Sequence, residues 1–154
     1  MPSVETLPQI SKEKPVTVSI TPTEEAYFNS LWGRRGVARF VERREVTFRN
    51  GDRPAPCDCH GNAARWAAET PDVVPIHGWL IEADDGHHLR LVAHSLLKHV
   101  EAGWFDITPL EPYRPPFLMH EGSAETFFAL LPRFNVVTWP LPGLAGGPRS
   151  GAGQ

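Results

Sequence analysis

Pro56-Cys57-Asp58-Cys59-His60-Gly61-Asn62-Ala63-Ala64-Arg65-Trp66 is the stretch where a proline-held loop turns into a helix, with a thiol at the turn. Pro54 and Pro56 keep the approach extended. Thr70-Pro71 then stops the helix after about Glu69. Ala63, Trp66 and Ala67 fall on one side, and the small alanines imply close packing against a neighbouring element. A cysteine at the start of such a helix meets orphan N–H groups and the positive end of the helix dipole. Both favour a thiolate over a thiol.

Upstream, Thr21-Pro22-Thr23-Glu24 is a helix start: threonine caps, proline suits the first position, and the glutamate closes a capping box. Tyr27, Phe28, Leu31 and Trp32 form one apolar face before Gly33 and Gly36 end the helix. Val37 to Arg49 alternates loosely and reads as a strand or strand pair, partly exposed, up to the turn at Asn50-Gly51. Downstream, Val73–Ala83 and Leu89–Leu97 read as strands joined through Asp84-Asp85-Gly86, followed by a third strand over Trp104–Thr108. The run Leu89 to Leu97 is apolar at both parities, as a central strand covered on both faces should be. Ser123–Leu131 reads as a short helix and Phe134–Trp139 as a last strand. The order predicts an α+β domain, with N-terminal helices packed on an antiparallel sheet. Residues 1–15 read as an extended arm, 16–139 as one domain, and 140–154 as a disordered tail rich in glycine and proline.

With 154 residues, 41% of them hydrophobic, the chain can bury a core without staples. A net charge of −3 gives no basic footprint for nucleic acid. No apolar run approaches the roughly 20 residues that cross a bilayer. Met1 to Pro15 lacks the pattern of a signal peptide. A disulfide across Cys57-Asp58-Cys59 would be strained, so both thiols are expected free, in a reducing cytoplasm.

A thiol site needs a nucleophile, a base, a group that orients the base, and donors for an oxyanion. Cys59, His94 and Asp106 are the candidates for the first three roles. N–H groups at the start of the 59–69 helix, with the Asn62 amide, are candidates for the fourth. His94 and Asp106 share parity, so both can point to one face of a hairpin. A tight turn that pairs Val100 with Trp104 would keep them apart. Contact is expected to require a wider loop, with Leu96 opposite Trp104. His60 is expected to point away from Cys59 and support the site from behind, while Gly78-Trp79 and His77 are candidates to line a substrate pocket.

Other readings stand beside these. Free cysteine is often a buried inert thiol, and His94 can be a hydrogen-bonded core histidine. Asp106 can cap a turn with Thr108, and Trp66 and Trp79 can simply pack the core. Cys57, Cys59 and His60 offer metal-ligand types within four residues, but no second ligand pair at zinc-site spacing follows them, so the thiol reading expects no metal and a metal-binding domain around these three residues stands as one alternative. The other is a non-catalytic pocket protein of the same fold centred on Trp79.

In Cys59-His60-Gly61-Asn62, Gly78-Trp79, His94 and Asp106-Ile107-Thr108-Pro109, the chain resembles a group of small uncharacterised bacterial and fungal proteins. Their shared pattern is Cys-His-x-Asn, Gly-Trp, His and Asp-Ile/Val-Thr-Pro. The order is also similar to the papain-like superfamily, particularly its cell-wall peptidase and transglutaminase-like branches. That resemblance spans roughly 57–110, and an upstream oxyanion glutamine has no evident counterpart. It implies a papain-like core and a thiol-dependent hydrolase or acyl transferase that needs no cofactor. The expected substrate is an amide, ester or thioester of a small molecule or short peptide.

Overall fold

The computed structural model describes residues 19–109 and 114–142. The expected arm at 1–15 and most of the expected tail lie outside them. The fold is α+β, with three α-helices and a six-stranded mixed sheet among the described residues. Helix α1 (Pro22–Arg34) leads through a 3-10 turn (Arg35–Val37) to β1 (Glu42–Arg43). Next come α2 (Cys59–Glu69), β2 (Val73–Asp84), β3 (Leu89–His99), β4 (Gly103–Asp106) and β5 (Phe117–Met119). Helix α3 (Ala124–Phe134) and β6 (Val136–Trp139) close the described chain.

Helix α1 starts with the capping box that Thr21 and Glu24 encode, and it buries Phe28 and Leu31. Ser123 caps α3 by accepting from the Thr126 N–H. The sheet runs β1-β4-β3-β2-β5, with β6 also paired to β3. It departs from the all-antiparallel expectation at β1, which pairs parallel to β4. The expected strand over Val37–Arg49 shrinks to Glu42–Arg43 and a bridge from Arg39 to Phe117. The rest of that segment takes other partners: the Arg44 N–H bonds the Asp106 carbonyl, and Phe48 turns into the core beneath α2. Helix α3, expected from Ser123–Leu131, lies between β5 and β6, so only α1 and α2 are the N-terminal helices. The packed body continues beyond Trp139, because Leu141 lies against the core.

Strand β3 is the organising element. Alternation sends Leu89, Leu91, Ala93, Ser95 and Leu97 to one face, and Val92, His94 and Leu96 to the other. On the first face, Leu91 and Ala93 meet Phe28, Trp79, Phe127 and Trp139 beneath α1 and α3, while Leu97 meets Ala63 of α2. Each large apolar side chain buried this way contributes about 1.5–3 kcal/mol, so packing, rather than helix propensity, holds the helices on the sheet. On the second face, Leu96 meets Leu80 and Phe117. Along one edge, β3 pairs with β6 over Leu89–Val92 and with β4 over Leu97–His99. Between those pairings lies an interval without a strand partner, at 93–96. His94 and Ser95 sit there.

Candidate active site

Cys59 occupies the first turn of α2, whose first intrahelical bond runs from the Asn62 N–H to the Asp58 carbonyl at 2.8 Å. Asp58 makes no side-chain capping bond. Its carboxylate instead occupies the space beside Gly61, where an added Cβ would lie 2.6 Å from the Asp58 Oδ1. The N–H groups of Cys59, His60 and Gly61 precede the first helical bond, so they are the backbone donors available to an oxyanion.

His94 and Asp106 meet through Nε2 and Oδ2 at 2.5 Å, both almost wholly buried. The hairpin joining them pairs His99 with Gly103 and Leu97 with Phe105. This register lies between the two considered from sequence. It sets His94 level with Thr108, so Asp106 is a diagonal neighbour on the same face, which long side chains can span. A wider loop is unnecessary. Asp106 also accepts the Thr108 N–H at Oδ1, 2.9 Å away. It thus serves both sequence readings at once, one oxygen for each.

Since Nε2 is committed to Asp106, Nδ1 is the His94 nitrogen left for the sulfur. Burial alone would raise the Cys59 thiol. Hydrogen bonding to His60 and His94, with the charge on these rings, outweighs burial and brings the thiol down to about 6. Burial likewise opposes charge on His94, but bonding to Asp106 and Cys59 and their negative charge raise it to about 9. Both shifts favour the thiolate–imidazolium form of the pair over the neutral one.

Other sequence candidates take different places. The Asn62 amide is fully used: its Oδ1 accepts the Ala55 N–H at 3.1 Å, and its Nδ2 donates to the Ala55 carbonyl and Thr108 Oγ1. It ties the proline loop to the end of β4 and has no proton left for an oxyanion. Trp79 is a core residue with 0% exposure, and its indole N–H donates to the Tyr27 hydroxyl at 2.7 Å. Gly78 lies directly opposite His94 and leaves room for β5, since an added Cβ would strike the Leu118 carbonyl and the Phe117 ring. Phe117 packs edge-on beside His94. The Gly-Trp pair therefore builds one wall of the site and the core behind it, rather than a pocket.

His60 does not point away from the thiol: its ring interacts with Cys59 and its Nδ1 meets Ser95 Oγ at 2.5 Å. His77 reaches the same oxygen through its own Nδ1, at 2.6 Å, and stacks on Phe127. His120 is held between the Tyr27 hydroxyl and Thr126 Oγ1. Sequence reasoning missed Ser95, Tyr27 and His120, because nothing in their spacing marks a polar network inside an apolar run. His87 and His88 are exposed at the hairpin turn.

A cleft of about 750 Å³ opens onto Cys59, His60 and His94 and runs past Val92 and Leu80 to Glu82. Glu82 sits at the β-bulge of β2, which re-aims its side chain, and it pairs with Arg90 at 2.8 Å. Cys57 also lines the cleft, exposed, with a left-handed φ of 61°. A smaller hollow of about 350 Å³, between Arg43, Arg53 and Pro54, contains neither thiol nor imidazole. Among the described residues no three His, Cys, Asp or Glu side chains converge as metal ligands, and no helix is long and apolar enough to cross a membrane. No protein-family model, curated protein or solved structure matches this chain significantly.

Proposed function

We propose that the protein is a thiol-dependent hydrolase or acyl transferase, with Cys59 as nucleophile, His94 as acid and base, and Asp106 as the group that orients His94. The observation that carries this reading is the 2.5 Å bond between Asp106 and Nε2 of the buried His94, which shares a cleft with a cysteine at a helix start. Attack of the thiolate on an acyl carbon would place the developing oxyanion by the free N–H groups of α2. His94 would give its proton to the leaving group, then take one from the incoming nucleophile. The order and placement of these groups support the papain-like resemblance. The cleft has the volume of small-ligand sites, which favours an amide, ester or thioester of a small molecule or short peptide.

Iodoacetamide at mildly acidic pH should alkylate Cys59 selectively and spare Cys57, as read by peptide mass spectrometry. Cys59→Ser should abolish turnover of an activated ester and leave the fold intact. Equal, slow labelling of both cysteines would sink the proposal.

A further inference from the structure

We propose that His60 is a second proton-transfer group at Cys59, and that Ser95 and His77 form the relay carrying its proton to the surface. The inference rests on the thiol chemistry above and assigns a new role to a group that this chemistry does not use.

The Ser95 hydroxyl is 1% exposed, between His60 Nδ1 at 2.5 Å and His77 Nδ1 at 2.6 Å. A hydroxyl has one proton, so it donates to one ring and must accept an N–H from the other. The tautomers of His60 and His77 are thereby coupled. If His60 carries its proton on Nδ1, His77 carries its own on Nε2, and a shift through the hydroxyl exchanges the two states.

His94 exchanges protons within the site but has little direct contact with solvent, since it is 3% exposed and bonded to Asp106. An acyl group in the cleft closes its remaining side. His60 lines the same cleft, with Nδ1 engaged by Ser95 and Nε2 left on the Cys59 side, and its partner His77 is only half-buried, against Phe127 and Phe128. Burial, with His60 and His120 nearby, keeps the His77 pKa below the ordinary value, so a neutral acceptor waits at the outer end.

In deacylation, water attacks the thioester carbon. The C–O bond forms, and the C–S bond breaks with its electrons returning to the Cys59 sulfur. Of the two water protons, one restores His94, which gave its own to the leaving group, and His60 Nε2 takes the other as the product carboxylate forms. The His60 Nδ1 proton then passes to Ser95 Oγ, and the Ser95 proton passes to His77 Nδ1. His77 then releases its Nε2 proton to solvent. Once product leaves, His60 loses its Nε2 proton to water in the open cleft and the chain runs back.

The test uses p-nitrophenyl acetate and the variants Ser95→Ala, His77→Asn and Ser95→Thr. Asparagine at 77 can still hydrogen-bond Ser95 but cannot take up and release a proton. Ser95→Ala and His77→Asn should keep a full burst of nitrophenol, with steady-state kcat lowered on the order of 100-fold, the lower end for a positioned proton-transfer group. Ser95→Thr, which retains the hydroxyl, should recover turnover. Nitrogen NMR of the imidazoles should show Ser95→Ala changing the tautomers of His60 and His77 while leaving His94 unmoved. A burst and steady-state rate both within twofold of the unmodified protein in His77→Asn, or unmoved His60 and His77 resonances in Ser95→Ala, would overturn the relay alone. Absence of a burst and of Cys59 alkylation in the unmodified protein would overturn the thiol site, and the relay with it.

Discussion

His94 and His77 are both imidazoles whose charged form burial opposes, yet they shift in opposite directions: His94 up to about 9, His77 down from its ordinary value. They stand near each other on neighbouring strands, with His94 opposite Gly78 and His77 opposite Ser95. The partner makes the difference. Asp106 offers His94 a full negative charge at 2.5 Å, whereas the Ser95 hydroxyl offers His77 only a dipole, shared with His60. At short range in a poorly solvated site a carboxylate overrides desolvation, and a hydroxyl does not. One side of the strand thus favours a charged ring, and the other a neutral one.

Removing the carboxylate should break this contrast most severely. Asp106→Ala leaves a buried imidazole without its anchor, and kcat should fall on the order of 100-fold. The pH midpoint of Cys59 alkylation should also move up from about 6. An unmoved midpoint and unchanged kcat would show that the carboxylate is not what separates the two histidines. A smaller effect is expected from Asn62→Ala, which strips partners from Ala55 and Thr108. Urea unfolding should report a loss of about 2 kcal/mol, with the Ser95 side unaffected. A loss under about 0.5 kcal/mol would mean that water replaces the amide without penalty. The mildest probe is titration of the unmodified protein. Cys59 and His94, at about 6 and about 9, predict turnover that rises through the lower value and falls through the upper one. In imidazole NMR, His94 should still be charged at pH 8, where His77 is neutral.

How far these features were legible in the sequence follows from what kind of physics fixes each. The start of α1 could be read because Thr21, Pro22 and Glu24 act within one turn. The Asp84-Asp85-Gly86 hairpin could be read because Gly86 adopts the positive φ of 83° that such a turn requires. Cys59, His94 and Asp106 could be picked out because chain order and parity limit where they point. The diagonal offset of His94 and Asp106 could not, since it depends on how three residues turn between His99 and Gly103. The fate of Val37–Arg49 was hidden for a related reason: Arg39 and Arg44 find their backbone partners at Phe117 and Asp106, far along the chain. Asn62 looked like an oxyanion donor because its bonds run to a loop whose path no periodicity describes. Ser95 looked like filler in an apolar strand, because a hydroxyl shows its value only when two rings converge on it.

His94 and Ser95 are consecutive residues of β3, yet they hold hydrogen-bond partners on opposite faces of the sheet, Asp106 for one and His60 and His77 for the other. A slide of one residue along β2 would exchange serine and histidine between faces, and a slide of two would carry both about 6.6 Å from their partners. Strand alignment in this chain is therefore tied to chemistry as well as to burial. Insertions or deletions anywhere within β3 should extinguish turnover even when they leave a folded protein.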